Sequence, residues 1–202
     1  MRALAEFIMR GRMQAIFVMA GAAALPMLFW LSAAAGSLVL LRRGLDDTLG
    51  VLVWAVLPAL AWWYFGDPRT LLVLLGAFGL ALLLRSPNAW PRVMLCSVGV
   101  GLLYAVALSV AFGEPIAAVA AELQKMLPNI LSQAYQQLSL EERTQLEALL
   151  IPVLTGLLAA LLQIVTLLSL MLGRYWQALL YNPGGFGLEF RALRFPPALA
   201  ML

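Results

Sequence analysis

Long stretches without a charged side chain alternate with short charged segments along this chain. Five such stretches stand out, covering residues 13–41, 48–66, 70–84, 93–113 and 148–173. A helix crosses the hydrocarbon core of a bilayer with roughly 20 apolar residues, and about 17–25 is the usual range. The stretches 48–66, 93–113 and 148–173 each fit one crossing. The stretch 70–84 is short, but it fits as a span over 70–85 when the Arg85 side chain reaches out to the membrane surface. The pattern predicts an all-α polytopic transmembrane helical bundle.

Residues 13–41 are too long for one crossing helix and short for two, and Pro26 interrupts the run with a residue that breaks a helix hydrogen bond. If the run forms a helical hairpin and the amino terminus is cytoplasmic, ten of the thirteen Lys and Arg residues lie inside. A single crossing leaves six inside and seven outside. Because cytoplasmic segments are enriched in basic residues, the hairpin is favoured. Two short tilted spans and a re-entrant pair both remain as interpretations.

The interval 114–147 is polar overall but carries an apolar stripe at helical spacing. The stripe consists of Ile116, Val119, Leu123, Leu127, Ile130, Ala134 and Leu138. We expect an amphipathic helix, kinked at Pro128, that lies on the outer surface or roofs the bundle. Ser139 and Glu142 then form a capping-box pattern, which predicts a helix from there through Pro152 to about Gly173.

Turn and cap signals organise the cytoplasmic segments. Asp46 or Asp47 is expected to cap the helix that follows the first hairpin. Residues 174–194 hold aromatic side chains around an Asn-Pro-Gly-Gly break, which predicts an inner aromatic turn followed by a short surface helix. Residues 195–202 are apolar again, and we interpret them as the start of a further span. The whole of 1–202 is expected to be one membrane domain.

Composition agrees with a lipid environment. Apolar residues make up 63% of the chain and charged residues 11%, against about half and about 25% in soluble domains. The net charge of +3 is spread over single or paired basic residues between apolar runs. This spacing fits helix ends at a membrane and argues against a nucleic-acid partner.

The chain has few residues of the types that usually carry catalysis or bind metal ions. The chain has no histidine and one cysteine, Cys96, so Ser–His and Cys–His catalysis and a thiolate metal site are excluded. We therefore expect no enzyme, no catalytic or metal-binding residues and no cofactor. No charged side chain lies in the middle of a span, which argues against an ion-coupled transporter.

Two stripes of small and weakly polar residues are the best candidates for a ligand site. One is Ser97, Gly101, Ala105, Ser109 and Gly113, and the other is Thr155, Ala159, Gln163, Thr166 and Gly173. Close helix packing explains such stripes. The alternative is a ligand cavity, for which Gln163 argues because a carboxamide near mid-membrane needs a hydrogen-bond partner. The candidate cavity residues are Gln163, Thr155, Thr166, Ser97 and Ser109.

The second candidate site is the turn formed by Asn182, Pro183, Gly184, Gly185 and Phe186. Glycines permit close backbone approach, but no Gly-Lys-Ser/Thr follows, so this is no phosphate-binding loop. A structural turn and a docking site for a cytoplasmic protein partner are both open interpretations.

In the segment RYWQALLYNPGGFGLEFRALR, residues 174–194, the chain resembles the YybS-like family of uncharacterised bacterial inner-membrane proteins. The apolar hairpin with Pro26 that ends in Leu41-Arg42-Arg43-Gly44 looks similar too, and family members usually continue through further spans. The family is distantly similar to S components of energy-coupling-factor vitamin transporters. Those small helical bundles bind a small molecule from outside and depend on a separate ATPase module. The resemblance implies a fold and an ancestry, and it assigns no binding residue.

These observations favour a multi-pass protein of the bacterial inner (cytoplasmic) membrane with a cytoplasmic amino terminus. The leading hypothesis is a small-molecule-binding or transport component that lacks its own energy source. Its partners would be the lipid bilayer, a small hydrophobic or vitamin-like ligand, and a cytoplasmic or membrane protein. The alternative is a non-catalytic membrane scaffold or assembly factor that recruits protein partners.

Overall fold

The structure, a computed structural model, describes residues 2–86, 90–137 and 139–191, with the backbone alone over 128–137. All regular structure in these residues is helical. The helices are α1 Arg2–Arg10, α2 Arg12–Ala24, α3 Phe29–Arg43, α4 Leu45–Tyr64, α5 Arg69–Leu84, α6 Trp90–Ala111, α7 Gly113–Gln137, α8 Leu140–Tyr181 and α9 Gly185–Arg191.

The all-helical prediction is confirmed for the described part of the chain. Within it, α4, α6 and α8 are long and apolar enough to cross a membrane, while α2 and α5 are shorter apolar helices. The number and order of crossings stay a prediction. At about 1.5 Å per residue, the 16 residues of α5 reach roughly 24 Å, short of a hydrocarbon core of roughly 30 Å.

The chain forms two compact units. The first comprises residues 1–100 with 162–202, and the second comprises residues 101–161. The expectation of one membrane domain stays a prediction.

Helix α3 lies at the centre of the first unit. Its residues from Ser32 to Leu40 are all buried, and it contacts α1, α2, α4 and α5. The segment Ser-Ala-Ala-Ala-Gly-Ser at 32–37 gives α3 a thin cross-section, so neighbouring backbones approach it closely. The core around it joins residues of α1, α2, α4 and α5 to Trp176 of α8.

Residues 13–41 contain two helices, α2 and α3, joined by a turn over residues 25–28. The amide of Leu25 donates to Ala22 O and that of Leu28 donates to Leu25 O, so Pro26 lies inside a tight turn. The Ser32 hydroxyl donates to Met19 O at 2.9 Å and ties the two helices together. Helix α2 has 13 residues and α3 has 15. These lengths are compatible with two short tilted spans and with a re-entrant pair, so both interpretations of the hairpin stay predictions.

The expectation for the cap of α4 is wrong. Gly44, with φ 90°, separates α3 from α4 and is the N-cap, while Asp46 and Asp47 lie in the first turn. Glycine adopts this positive φ without a steric penalty, so the chain re-enters a helix after one residue. The acids still face the positive end of the helix dipole, where a negative charge is favourable.

Helix α8 begins as its sequence predicts and ends later. The Ser139 hydroxyl accepts from the Glu142 amide at 3.3 Å, and the Ser139 amide donates to the Glu142 carboxylate at 2.8 Å, which confirms the capping box. The helix passes through Pro152 and continues beyond Gly173 to Tyr181. Residues 174–181 are therefore helical where an aromatic turn was expected, because they contain no Pro or Gly and the first turn signal after them is the Asn-Pro-Gly-Gly sequence.

The second unit contains α7, in which Ile116 and Leu127 are buried and Val119 is exposed. Its outer position and its role as a roof stay predictions. The side chains of Pro128, Ile130 and Ala134 lie outside the described residues. So do Leu138, the end of the surface helix expected to 194, and the apolar segment 195–202.

Candidate functional site

The first candidate site centres on Gln163, which is half-buried on α8 in the first unit. Its Nε2 donates to Ser97 Oγ of α6 at 3.4 Å. The Ser97 hydroxyl is itself buried and donates to Met94 O at 2.7 Å. In the described part of the chain, Gln163 Oε1 has no hydrogen-bond partner. The pair therefore presents an open carboxamide oxygen between two apolar helices.

Gln163 lies close to the expected depth of the bilayer centre. Eleven residues, or roughly 16 Å of helix, separate it from Arg174, the first charged residue after the apolar run. A hydrocarbon core is roughly 30 Å thick. If α8 crosses a bilayer, a carboxamide at that depth lacks water, so each of its polar atoms needs a partner from protein or ligand.

Thr166 is fully buried on α8 in the same unit, and its hydroxyl donates to Leu162 O at 2.8 Å. Thr155 and Ser109 belong to the second unit. Thr155 is buried and donates to Ile151 O, whereas Ser109 is exposed and donates to Val106 O. The structure thus brings Ser97 and Gln163 into contact and directs the other three hydroxyls to carbonyls of their own helices.

Gly173, the last residue of the small-residue stripe on α8, packs directly against α3. A Cβ placed on Gly173 would lie 2.7 Å from Ala34 O, 2.7 Å from Ser37 Cβ and 3.1 Å from Leu38 N. Real side chains do not tolerate such distances to backbone atoms, so Gly173 allows α8 to contact α3 directly. At this position the small residue serves helix packing rather than a cavity.

The second candidate site, at residues 182–186, is a turn with two different halves. Asn182, Pro183 and Gly184 are exposed, and Gly184 has φ 87°. Gly185 is buried and lies against the Asn182 side chain, so a larger residue would displace that amide. Phe186 is half-buried and is part of an aromatic cluster, and the role of this turn in partner docking stays a prediction.

That cluster holds α9 against the start of α6 and the end of α8. The Phe186 ring contacts Trp90, Tyr175 and Phe190, with centroids 6.4, 5.9 and 4.9 Å away. Trp90 and Phe190 are also in contact, at 5.1 Å. Aromatic pairs at such distances stabilise a contact beyond simple area burial. The cluster therefore gives α9 a defined position next to α6 and α8.

Glu189 adds a polar contact that sequence reasoning missed. Its carboxylate accepts hydrogen bonds from the Arg174 guanidinium and, at 3.2 Å, from Trp90 Nε1. Burial raises the pKa of the Glu189 carboxyl, but the bonds from Arg174 and Trp90 and the Arg174 charge together lower it below its ordinary value. The opposite charges on either side of the Asn-Pro-Gly-Gly turn were the available signal. Their pairing depended on how tightly that turn folds back.

Among the described residues, no three His, Cys, Asp or Glu side chains come together in an arrangement that could hold a metal ion. Comparison of the chain with protein-family models, with curated proteins and with solved structures gave no match.

Proposed function

We propose that this protein is a multi-pass inner-membrane component that binds a small molecule within its helical bundle and depends on another protein for energy. The observation that supports this function is the Gln163–Ser97 pair, with one carboxamide oxygen open between apolar helices. The resemblance to the YybS-like family, and through it to S components, points in the same direction. The ligand would be small and largely apolar, with an N–H or O–H group for Gln163.

The energetic argument rests on the membrane environment. An unsatisfied carbonyl oxygen in hydrocarbon costs several kcal/mol, so a glutamine here destabilises the empty protein relative to leucine. A ligand that donates to Gln163 Oε1 recovers this cost and gains apolar contact with the helices. Binding would therefore be specific for ligands with a donor, because an apolar analogue leaves the oxygen unpaired.

A ligand screen on the full chain in detergent tests this function. Purified protein is heated with each of a panel of water-soluble vitamins and small apolar amines, and the melting temperature is recorded. A ligand that stabilises the wild type should lose its effect in Gln163→Leu. It should keep its effect in Gln145→Leu, a matched change at an exposed glutamine of the same helix. Equal ligand shifts in both variants would remove Gln163 from the site and overturn the proposal.

A scaffold that recruits protein partners is the second candidate. The continuous burial of α3 and the direct contact at Gly173 favour it, because they describe solid packing rather than a chamber. Isolation of the full chain from native membranes separates the two functions. Co-isolation of an ATPase supports the energy-dependent component, whereas partners that bind Gln163→Leu and the wild type equally, with no ligand shift in either, support the scaffold.

The orientation is part of the proposal, and labelling in intact cells tests it. In a Cys96→Ser background, Glu122→Cys should react with a membrane-impermeant maleimide from outside. Pro183→Cys should react only after the cells are opened. Both native residues are exposed in the structure. Labelling of Pro183→Cys in intact cells would reverse the orientation and place the aromatic cluster on the outer face.

A further inference from the structure

A small basic cavity, shallow and open over most of its surface, lies where α1 meets the carboxyl-terminal end of α8, away from Gln163. Its volume is about 350 Å³, and it is lined by Arg2, Glu6, Met9, Arg10, Leu180 and Tyr181. Small-molecule sites commonly occupy about 300–1,000 Å³, so the cavity is large enough for one compact group. Its wall combines the apolar side chains of Met9, Leu180 and Tyr181 with two guanidinium groups.

Contacts from α3 and α8 fix the walls of this cavity. Arg43 Nη2 donates to Met9 O at 2.7 Å, which joins the end of α3 to α1. Gln177 Nε2 donates to Leu41 O at 3.0 Å, which joins α8 to the same end of α3. The Arg42 guanidinium lies 4.0 Å from the centre of the Tyr181 ring. Three helices therefore hold the two sides of the cavity in place.

The charge around the cavity is positive. Arg2 is paired with Glu6 at 2.9 Å. In the described part of the chain, Arg10 has no acidic partner and Arg42 has only its contact with Tyr181. Arg10 and Arg42 therefore keep N–H donors for an anion. Helix α1 buries Ala5 and Ile8 and exposes Arg2 and Arg10, an arrangement typical of a helix at a charged membrane surface.

We propose that this cavity binds the phosphate group of an anionic phospholipid from the cytoplasmic leaflet. Guanidinium groups bind phosphate oxygens in a bidentate geometry, which suits Arg10 in the cavity wall, and Arg42 adds a second positive charge beside the wall residue Tyr181. Leu180 and Met9 would contact the glycerol and the first part of the acyl chains. Basic pockets at this membrane depth bind anionic headgroups in other membrane proteins. A free phosphate ion shares the recognised chemistry, and the test below separates the two sources.

Lipid binding to the full chain in detergent tests this site. The protein is titrated with phosphatidylglycerol, phosphatidylcholine or inorganic phosphate, and the bound species are counted by native mass spectrometry. Phosphatidylglycerol should bind the wild type more tightly than phosphatidylcholine. Arg10→Gln should weaken its binding about fivefold, the effect of one basic residue near a membrane surface. Arg92→Gln, a matched change of an exposed arginine outside the cavity, should leave it unchanged.

The possible results distinguish a phospholipid from free phosphate as the ligand, and they distinguish this lipid site from the ligand site at Gln163. Binding of inorganic phosphate that Arg10→Gln weakens supports the site with a soluble ligand, and preference for phosphatidylglycerol alone supports the lipid. Equal binding of the two lipids, or equal loss in Arg10→Gln and Arg92→Gln, overturns the proposal. Arg10→Lys keeps the charge and should bind with intermediate affinity, which guards against a folding defect. Gln163→Leu should leave phosphatidylglycerol binding unchanged. A negative result for the ligand site at Gln163 would therefore not count against the lipid site at Arg10.

Discussion

Helices α3 and α8 are both apolar, yet they have opposite surroundings. All nine residues from Ser32 to Leu40 in α3 are buried. On α8, Leu157, Leu161, Ile164 and Leu168 are each more than half exposed. The buried helix carries Ser, Ala and Gly over residues 32–37, while the exposed face carries Leu and Ile. Apolar character alone therefore does not tell which helix is buried against protein and which presents an exposed face.

Residue size explains the difference. Between helices in lipid there is no hydrophobic drive for association, so stability depends on close packing, which small residues allow. Large aliphatic side chains are as favourable against acyl chains as against protein, and they collect on exposed faces. Small residues therefore mark the helix that is buried against its neighbours.

The largest effect is expected from a cavity in α3. Leu38→Ala removes a fully buried side chain and should lower the free energy of unfolding by about 2–5 kcal/mol. Leu168→Ala removes the same atoms from an exposed face of α8 and should change it by less than about 0.5 kcal/mol. Reversible unfolding in mixed detergent micelles measures both. Equal costs would show that α8 packs against protein along that face, and the comparison would fail.

The contact at Gly173 should give the next largest effect. Gly173→Ala places a Cβ against the backbone of α3, and we expect a loss of about 1–3 kcal/mol in unfolding free energy. Gly156→Ala on the same helix meets nothing within 4 Å. It should instead stabilise the helix by about 0.5–1 kcal/mol, because glycine is a poor helix former. The same unfolding assay should therefore report opposite signs.

Local sequence signals predicted much of this fold. Pro26 indicated the turn between α2 and α3, and the Ser139–Glu142 pattern indicated the start of α8. What remained hidden depended on distant contacts or on a single backbone angle. Gly44 was missed as a cap because its positive φ becomes visible only in the folded chain. Ser97 and Gln163 were each named, but their pairing required knowledge of which faces of α6 and α8 meet.

The docking of α9 should depend on pH, unlike the apolar packing of α3. The pKa of Glu189 is lowered from its ordinary value of 4.5. The carboxylate's contribution is thus fully present above that value and is lost as the pH falls through the lowered pKa. For a partly exposed ion pair we expect up to about 1 kcal/mol. Hydrogen exchange of the α9 amides, expressed as protection factors at neutral and acidic pH, measures the effect.

Glu189→Gln is the control for that measurement. The glutamine is nearly the same size but does not titrate in this range, so its α9 protection should be lower at neutral pH. It should then change little on acidification. If wild type and variant lose protection in parallel, the pH effect comes from elsewhere, and α9 is held by its aromatic cluster alone.

The smallest effect is expected at the polar start of α8, where Ser139 and Glu142 are exposed. Ser139→Ala removes the side-chain acceptor of the Glu142 amide and should weaken the first helical turn by about 1 kcal/mol. Thr144→Ala, one turn later, removes a hydroxyl that bonds only to Leu140 O, and it should have little effect. Because this end is exposed, the loss should be local: faster exchange of the amides of residues 140–143, with the unfolding midpoint nearly unchanged. A global loss comparable to that of Leu38→Ala would mean that the capped end is packed like α3, and exposure would no longer distinguish the two helices.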